Sequence, residues 1–375
     1  MTITDIAHII NPLESIIRDD RIDIARLCFD SRKISKPDES LFFAFKTGKN
    51  DGHRYIPELA RDGVHNFVVS DPAAANLDPQ GNFLVVNNTL AALQTLAQHH
   101  RSQFHYPVIG ITGSNGKTIV KEWLNTMLND DFLIVRSPDS YNSQIGVPLS
   151  VWRMSEHHNL AIFEAGISKP DEMQPLANII RPTIGILTNI GMAHAQFFQN
   201  QAQKTIEKLK LFEHASKLVF HDDNPELNTL LTLPEYDHLQ KISWGSPQST
   251  YPVSYTTEDN HTLLTINQFT YSIPFLDSAS IENATHVIVT MLELGLNPDT
   301  NAHFLNLPFY ETGGIKKGAI TEADIEIIVK LLREIRPHQI YAAGDLADPH
   351  GTHRMCIEAL LEALERTQDD DWREE

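Results

Sequence analysis

Short apolar runs recur through the middle of this chain, and stretches with helical spacing separate them. The runs are Val108–Thr112, Leu133–Arg136, Leu160–Ala165, Ile184–Ile190 and Lys217–Phe220. Alternation of this kind is typical of a mainly parallel sheet with helices on both faces. We therefore predict an α/β fold whose central part, residues 107–297, is a doubly wound, mainly parallel sheet. In such sheets, ligands gather at the carboxyl ends of the strands.

The two flanking regions show different patterns. A smaller α/β pattern precedes the central part, with strands at Ser40–Phe45 and Asn66–Ser70 and helices at Tyr55–Asp62 and Leu90–His99. The polar segment His99–His105 is the predicted domain joint. After residue 298 we predict a helix at Thr321–Arg333 capped by Thr321 with Asp324, a strand at Gln339–Ala343 and a helix ending near Glu365. The predicted domains are residues 1–100, 107–297 and 298–375.

Length and charge narrow the class of protein. A chain of 375 residues can bury two or three cores. Its 49 acidic and 30 basic residues give a net charge of −19, which would repel a nucleic-acid backbone. The apolar runs are too short to span a membrane, and the first residues lack the pattern of a secretory signal. We expect a soluble cytoplasmic protein that meets anionic ligands with local cations.

The segment Gly113-Ser114-Asn115-Gly116-Lys117-Thr118 follows an apolar strand and precedes a helical run, Ile119–Leu128. Glycines let backbone N–H groups turn toward an anion, and a helix N-terminus favours negative charge. In loops of this type the lysine reaches the β- and γ-phosphates and the threonine hydroxyl holds Mg²⁺. The standard pattern requires glycine at position 111, where this chain has isoleucine. The surrounding elements still agree, so we predict a nucleotide-phosphate site; a glycine-rich turn with an incidental lysine is the alternative.

Two later strands end in candidate metal ligands. Glu164 closes one apolar run, and a buried carboxylate at a strand end suits Mg²⁺. The run Ile184–Ile190 leads to His194. A lone histidine is usually structural, but two successive strands that end in candidate ligands favour a functional role here. Lys208, by contrast, has the default interpretation of a solvated lysine on a helix.

Taken together, five segments resemble, in order and spacing, the central ATPase domain of the Mur ligases. They are Thr112–Thr118, Tyr141–Pro148, Phe163–Gly166, Thr188–His194 and Lys208–Phe212. Asp30–Arg32 and Phe45–His53 resemble the UDP-sugar-binding domain of the same family. The resemblance covers about residues 25–297.

The resemblance implies an ATP-dependent peptide ligase of cell-wall synthesis. ATP would phosphorylate the terminal carboxylate of UDP-MurNAc-tripeptide, and the amine of D-Ala-D-Ala would displace phosphate from the acyl phosphate. Such chemistry works by positioning and charge neutralisation.

The resemblance also implies roles for individual residues. Thr118 and Glu164 would hold one Mg²⁺, while His194 and a CO₂-carbamylated Lys208 would support a second. Lys117, Glu164, His194 and Lys208 would form the catalytic set. The implied nucleotide contacts are Gly113, Ser114, Asn115, Gly116, Lys117, Thr118 and Asn283. The implied substrate contacts are Ser31, Arg32, Lys46, Thr47, Asp51, Gly52, His53 and Asn142.

Two regions depart from the family. Asn306–Gly313 and Pro337–His353 resemble the C-terminal part of a glucosamine-6-phosphate deaminase fused to an LmbE-like zinc-dependent deacetylase, where a Mur ligase has its third, closing domain. Asp348, His350 and His353 have metal-ligand chemistry, but the Asp-Asp pair of that family is missing upstream, so we do not expect an intact zinc site. In addition, His221 stands where the family usually has asparagine near adenine.

The sequence leaves three candidate functions for this protein. The first is an ATP-dependent peptide ligase, impaired because the closing domain is replaced. The second is a protein that binds nucleotide and UDP-sugar without catalysing ligation. The third is a metal-dependent amidohydrolase that acts through the tail. The five ordered motifs favour the first family.

Overall fold

A computed structural model describes residues 1–48, 50–191, 198, 200–258, 261–296, 320–336, 352–368 and 370. The chain divides into two compact units. One comprises Met1–Ser254, Thr265–Phe269 and Ser278–Pro298, and the other comprises Tyr255–Leu264, Thr270–Asp277 and Asp299–Glu375. The three domain ranges stated above remain predictions.

The N-terminal part of the first unit contains a five-stranded sheet. Its strands are β1 (Glu14–Ile16), β2 (Arg26–Cys28), β3 (Ser40–Phe43), β4 (Asn66–Val69) and β5 (Asn82–Val85), in the order β1-β5-β4-β3-β2. All neighbours are parallel except β1, which is antiparallel to β5. The helices are α1 (Ile3–Ile10), α2 (Ile56–Arg61) and α3 (Thr89–Ser102).

Strand β3 is buried on both faces of this sheet. Successive side chains of a strand point to opposite faces, so Leu41 and Phe43 enter one apolar cluster while Phe42 enters another. A continuous apolar run such as Ser40–Phe43 is therefore the expected sequence of this central strand.

The part of the second sheet that lies in the first unit is parallel, in agreement with the predicted mainly parallel sheet. Its strands in the first unit are β6 (Val108–Thr112), β7 (Ile134–Arg136), β8 (Leu160–Glu164), β9 (Ile184–Leu187), β10 (Lys217–His221), β11 (Gln240–Gly245) and the start of β12 (Tyr251–Glu258). They lie in the order β12-β11-β10-β9-β6-β8-β7, and every one of these pairs is parallel. Strands β13 (His261–Ile266) and β14 (Phe269–Ile273) have residues in each of the two units.

The helices of this part are α4 (Lys117–Leu128), α5 (Gly146–Val151), α6 (Met173–Ile180), α7 (Gln201–Leu209), α8 (Pro225–Leu230) and α9 (Ser278–Glu293). Strand β6 lies between β8 and β9, so the chain crosses to the other side of β6 when it passes from β8 to β9. A ligand crevice is expected at the carboxyl end of a strand in this position.

The helix before the predicted domain joint is longer than predicted. The helix does not end at His99 but continues to Ser102. Arg101 is buried in spite of its charge, because its guanidinium donates hydrogen bonds to the carbonyl oxygens of Phe104, Ile180 and Arg181 at 2.6–2.9 Å. Arg101 therefore fastens the end of α3 to the end of α6.

The predicted strand at Ile184–Ile190 is also shorter than expected and ends at Leu187. After it, the carbonyl oxygen of Asn189 accepts a hydrogen bond from the N–H of Ser114 at 2.8 Å. The chain there bonds to a loop instead of to a neighbouring strand.

The last described helices are α10 (Glu322–Ile335) and α11 (Thr352–Arg366). The predicted cap is confirmed, because Thr321 and Asp324 form a capping box. The two helices share a small apolar cluster of Ile325, Ile328, Val329, Leu332, Ala359 and Ala363. The predicted strand Gln339–Ala343 and the candidate ligands Asp348 and His350 lie outside the described residues, as does the side chain of His353.

None of the helices in the described ranges has the length and apolar character that a membrane crossing requires.

Candidate active site

The glycine-rich loop joins β6 to α4 and adopts a backbone that needs glycine at both ends. Gly113 has φ +153° and Gly116 has φ +81°. A Cβ at Gly113 would lie 1.9 Å from Thr188 Oγ1, and one at Gly116 would lie 2.2 Å from Asn283 Oδ1. The predicted nucleotide residue Asn283, on α9, therefore lies directly against the loop.

The segment after β9 holds this loop in place. Asn189 accepts hydrogen bonds from the N–H groups of Ser114 (2.8 Å) and Asn115 (3.0 Å). Thr188 Oγ1 donates to Asn115 O at 2.6 Å. The N–H groups of Ser114 and Asn115 therefore already have partners within the protein. The first turn of a helix leaves its N–H groups without intrahelical partners. In α4 these groups begin at Lys117, because the N-cap residue Gly116 has no side chain to accept from them.

Two predicted lysines converge on the loop. Lys117 Nζ and Lys208 Nζ donate to Gly113 O at 3.0 and 2.8 Å. Burial lowers the pKa of both ammonium groups. For Lys208, the pKa falls to about 7, through burial first and then through the positive charges of Lys117 and Lys204. Lys208 is not the solvated lysine of the default interpretation, because α7 turns this side chain inward, where it is 3% exposed.

The predicted carboxylate lies beside the threonine of the loop. Glu164 is fully buried at the end of β8, and its Oε2 accepts a hydrogen bond from Thr118 Oγ1 at 2.9 Å. Strand β8 pairs with β6, and Ile111 is the register partner of Glu164. The pairing of β8 with β6 therefore brings Glu164 next to Thr118, although the two residues are 46 positions apart in the sequence.

Lys121 is a site residue that the sequence reasoning missed. It is fully buried, and its Nζ lies 3.5 Å from Glu164 Oε1. It also donates to Ser137 O at 2.8 Å and to Asp139 O. Because Lys121 follows Thr118 by three positions, both lie on one helical face, and that spacing was the available signal.

A cavity of about 230 Å³ opens beside the loop. Its walls include the predicted substrate residue Asn142, whose carbonyl oxygen accepts from the N–H of Gly166 at 2.8 Å. The lining residues are Gly113, Ser114, Lys117, Asn142, Ser143, Gln144, Gly166, Ile167, Ser168, Glu172, Lys204 and Lys208.

A second cavity, of about 330 Å³, adjoins Thr188 and Asn189 and includes His221 and Glu282 in its walls. The His221 ring stacks on Trp244, with centroids 4.0 Å apart and planes 3° apart. Burial, followed by the negative charge of Asp223, raises the pKa of Glu282 to about 7. This cavity therefore combines an aromatic wall with carboxyl groups.

His286 connects this second cavity to the phosphate loop. Trp244 Nε1 is 3.2 Å from His286 Nδ1, and His286 Nε2 is 2.9 Å from Thr188 O. An indole N–H only donates, so Nδ1 accepts and Nε2 carries the proton. Burial lowers the pKa of His286 to about 3, and the ring is therefore neutral at ordinary pH.

The predicted sugar-nucleotide residues of the N-terminal part share one sheet edge. Ser31 and Arg32 follow β2, and the segment from Lys46 to His53 follows β3; these strands are parallel neighbours. Arg32 is exposed and pairs with Asp30 through two hydrogen bonds of 2.9 and 2.8 Å.

The loop after β3 is closed by contacts among its own residues. Lys46 Nζ lies 3.8 Å from Asp51 Oδ2, and Thr47 N–H donates to Asn50 O at 2.7 Å. A Cβ at Gly52 would lie 2.9 Å from Phe45 N, so the backbone passes too close for a larger residue.

His53 has a structural position in this loop. Its Nδ1 is 2.6 Å from Asp51 Oδ1, and its Nε2 accepts a hydrogen bond from the N–H of Ser70 at 3.0 Å. The ring is buried and ties the loop to the end of β4.

The predicted metal ligand His194 lies outside the described residues. Among the residues that are described, no group of three or more histidine, cysteine, aspartate or glutamate side chains could hold a metal ion. Thr118 and Glu164 are thus the predicted metal ligands that the structure brings together, and Lys208, on α7, donates a hydrogen bond to the adjoining loop.

The middle of the chain matches a known enzyme domain. Residues 111–291 match the Mur ligase middle domain. The curated relatives include the UDP-N-acetylmuramoyl-tripeptide–D-alanyl-D-alanine ligase of Rickettsia prowazekii, 30% identical over 287 residues, which covers 74% of this chain and 63% of the relative. The corresponding ligase of Bacillus subtilis is 28% identical over 283 residues, covering 74% and 60%. The chain thus spans about three fifths of these relatives.

Solved structures with the same fold include MurF from Acinetobacter baumannii, with a TM-score of 0.72 and 20% identity over 94% of this chain and 81% of that one. MurF from Thermotoga maritima, solved in complex with ADP, has a TM-score of 0.67 and 20% identity over 93% and 85%. A stretch of 68 residues is 63% identical to a putative glucosamine-6-phosphate deaminase-like protein of Bacteroides thetaiotaomicron, covering 18% of this chain and 10% of that protein.

Proposed function

We propose that this chain is an ATP-dependent ligase that joins D-Ala-D-Ala to UDP-MurNAc-tripeptide through an acyl phosphate. The observation that carries the proposal is the meeting of three predicted groups at the carboxyl end of β6. Thr118 lies 2.9 Å from Glu164, and Lys208 lies 2.8 Å from the carbonyl oxygen of Gly113. This arrangement occurs within a Mur ligase middle domain.

In this proposal the first N–H groups of α4 and the ammonium of Lys117 bind the ATP phosphates. Lys117 is half-buried against the loop, so a phosphate there would meet a cation that bulk water screens only in part. Asn283 lies against Gly116 at the start of the helix.

The donor set fits Mg²⁺. The Thr118 hydroxyl and the Glu164 carboxylate are hard oxygen ligands, and Mg²⁺ usually takes one or two carboxylates together with phosphates and water. A bound Mg²⁺ would neutralise phosphate charge. Lys121, 3.5 Å from the other oxygen of Glu164, orients that carboxylate toward Thr118.

We also retain Lys208 as a carbamylated lysine that supports a second metal with His194. Carbon dioxide reacts with the neutral amine, and a pKa of about 7 leaves part of Lys208 in that form at neutral pH. The product would turn a buried cation into an oxygen-bearing anion beside the loop.

For the sugar nucleotide, we propose the loops after β2 and β3. Arg32 supplies an exposed guanidinium that could exchange Asp30 for a diphosphate. Ser31, Lys46 and Thr47 lie on the same sheet edge.

We further propose that residues 298–375 do not supply the closing domain of the ligase. The 63% identity of a 68-residue stretch to a deaminase-like protein supports this. Residues 1–375 by themselves would then bind substrates but hold the acyl phosphate and the amine poorly in attack geometry.

Phosphate release measured with ATP, UDP-MurNAc-tripeptide and D-Ala-D-Ala, each omitted in turn, tests the function. Release that requires the tripeptide supports an acyl-phosphate ligase. Nucleotide binding without tripeptide-dependent release would indicate a binding protein, and hydrolysis of an acetylated amino sugar without ATP would indicate the amidohydrolase.

A further inference from the structure

Glu172 precedes helix α6 and lies in the wall of the 230 Å³ cavity beside the glycine-rich loop. It carries the one carboxylate among the described residues of that wall. Its Oε2 accepts the N–H groups of Ser168 and Lys169 at 2.7 and 3.0 Å. An ionised carboxylate has two oxygen acceptors, and Oε1 has no hydrogen bond or ion pair within the described part of the chain. One oxygen of Glu172 is therefore available to a ligand in the cavity.

Helix α6 does not use this carboxylate as its cap. The Glu172 side chain makes no capping hydrogen bond, and the N–H of Met173 donates instead to Glu207 Oε1 at 3.0 Å. A further contact fixes the backbone of Glu172, because Gln144 Nε2 donates to its carbonyl oxygen at 2.6 Å. Gln144 Oε1 in turn accepts from Gln94 Nε2 at 2.9 Å. Neighbouring residues thus hold Glu172 in place, while its Oε1 serves no bond of the fold.

The same cavity contains groups proposed for the phosphorylated substrate. Lys117 of the glycine-rich loop and the predicted substrate residue Asn142 both lie in its wall. The N–H of Gly166, two positions before Ser168, donates to Asn142 O at 2.8 Å. A volume of 230 Å³ is that of about eight water molecules. A ligand group bound at Glu172 would therefore be a close neighbour of a group bound at the loop.

Peptide formation brings two opposite charges together. The acyl phosphate is an anion, whereas the incoming amine is mostly an ammonium cation at neutral pH, because an α-amino group has a pKa of about 7.7–8.0. The ammonium must lose a proton before its nitrogen can attack. A carboxylate at the site meets both needs, since it attracts the cation and accepts the proton.

We propose that Glu172 is a catalytic residue that binds the ammonium group of the incoming D-Ala-D-Ala and accepts its first proton. This inference rests on the proposed function. The nitrogen then forms a bond to the acyl carbon, and the bond from that carbon to the phosphate oxygen breaks, with its electron pair leaving on phosphate. A second proton from the nitrogen leaves with the phosphate, and Glu172 returns the first proton to water.

The test compares two nucleophiles in reactions that contain residues 1–375, ATP, Mg²⁺ and UDP-MurNAc-tripeptide. D-Ala-D-Ala has to lose a proton, whereas hydroxylamine is uncharged at neutral pH and traps an acyl phosphate as a hydroxamate. Glu172→Gln keeps an oxygen acceptor for the two N–H groups and removes the charge. It should lower kcat/KM for D-Ala-D-Ala by about tenfold to hundredfold, the value of a charge-assisted contact, and leave hydroxamate formation within about twofold of wild type.

Asp171→Asn is the matched control. It removes the same charge one position earlier, from a side chain that is 94% exposed and lies outside the cavity wall. We expect it to leave the formation of both products unchanged. If it reproduces the effect of Glu172→Gln, the proposed contact to the ammonium group is refuted.

The remaining outcomes separate the two proposals. Equal losses of peptide and hydroxamate in Glu172→Gln, or unchanged peptide formation, would refute the contact to the ammonium group. So would a wild-type chain that forms hydroxamate without any peptide detectable by mass spectrometry, because the amine would then not be bound within residues 1–375. If Glu172→Gln does not fold, the same comparison on Glu172→Asp, whose carboxylate is one methylene further back, decides. A wild-type chain that forms no hydroxamate would instead refute the acyl-phosphate ligase itself.

Discussion

At the scale of single residues, the lysines of the site differ from surface lysines because burial removes water from their charged ammonium groups, which costs free energy. Lys117, Lys121, Lys204 and Lys208 are all removed from solvent to a large degree. Lys121 has a carboxylate at 3.5 Å, while Lys117 and Lys208 share a carbonyl oxygen. Lys121 is compensated within the fold. An anionic ligand would compensate Lys117, whereas the proposed carbamylation would remove the positive charge of Lys208.

We expect Lys117→Ala to weaken ATP binding by tenfold to hundredfold. The lost charge-assisted contact to the β- and γ-phosphates is worth roughly 1.5–3 kcal/mol. Titration calorimetry with MgATP measures the change, and equal affinity for wild type and variant would disprove the contact. Lys169→Ala, which alters an exposed lysine, should bind MgATP as wild type does.

The pKa of Lys208 leads to a prediction about how the stability of the protein depends on pH. Its pKa of about 7 lies below the value of about 10.4 expected in the unfolded chain, so the unfolded state binds more protons between these values. The contribution of Lys208 to the free energy of unfolding therefore rises as the pH rises from about 7 to 10 and is most unfavourable below pH 7.

Lys208→Met should abolish that dependence. The variant should gain stability over wild type at pH 6 and lose this advantage toward pH 10, as measured by urea denaturation in CO₂-free buffer. Lys117 and Lys204 remain in both proteins, so the difference reports Lys208. A difference in stability that stays constant from pH 6 to pH 10 would contradict the prediction.

Much of the site was predictable from sequence because its chemistry lies in short segments next to strands. Gly113–Thr118 and Glu164 are of this kind, and they meet as expected. Lys121 and Lys204 escaped because an isolated lysine on a helix is solvated by default. The capture of the Ser114 and Asn115 amides by Asn189 also escaped, because it depends on β9 lying next to β6.

At the scale of elements, the parallel sheet was predictable because apolar runs of strand length alternate with helical patterns. Ends of elements were harder to predict. Helix α3 continues beyond His99 because Arg101 finds three backbone acceptors in other segments. A local sequence pattern does not contain that information.

Arg101→Met should destabilise the protein by about 3 kcal/mol, since it leaves the buried carbonyl oxygens of Phe104, Ile180 and Arg181 without their donor. Urea denaturation measures the loss. Arg61→Met is the control, because Arg61 is exposed and its guanidinium donates to Pro57 O, one turn earlier in α2. This substitution should change the free energy of unfolding by no more than about 0.5 kcal/mol. Equal stability of the two variants would show that the hydrogen bonds of Arg101 do not stabilise the fold.

At the scale of the whole molecule, the chain combines a segment that matches the Mur ligase middle domain with a stretch that is similar to a putative deaminase-like protein. Peptide formation needs the acyl phosphate and the amine in one geometry, and such positioning can be worth roughly 7–11 kcal/mol of barrier. A cleft that stays open also admits water, which hydrolyses an acyl phosphate.

We therefore expect residues 1–375 to release more moles of phosphate than the moles of peptide product that they form. Phosphate and UDP-MurNAc-pentapeptide quantified in the same reaction would give a ratio well above one. A ratio of one at a rate typical of complete ligases would mean that residues 298–375 replace the closing domain.

The stack of His221 on Trp244 gives the chain an optical reporter. The indole is 4% exposed and lies in van der Waals contact with an imidazole that forms part of a cavity wall. Through His286 and Thr188 it is hydrogen-bonded to the segment that holds the glycine-rich loop. A nucleotide that entered this cavity or shifted that segment would change the quenching of Trp244, so its fluorescence could report occupancy of the site without any attached dye.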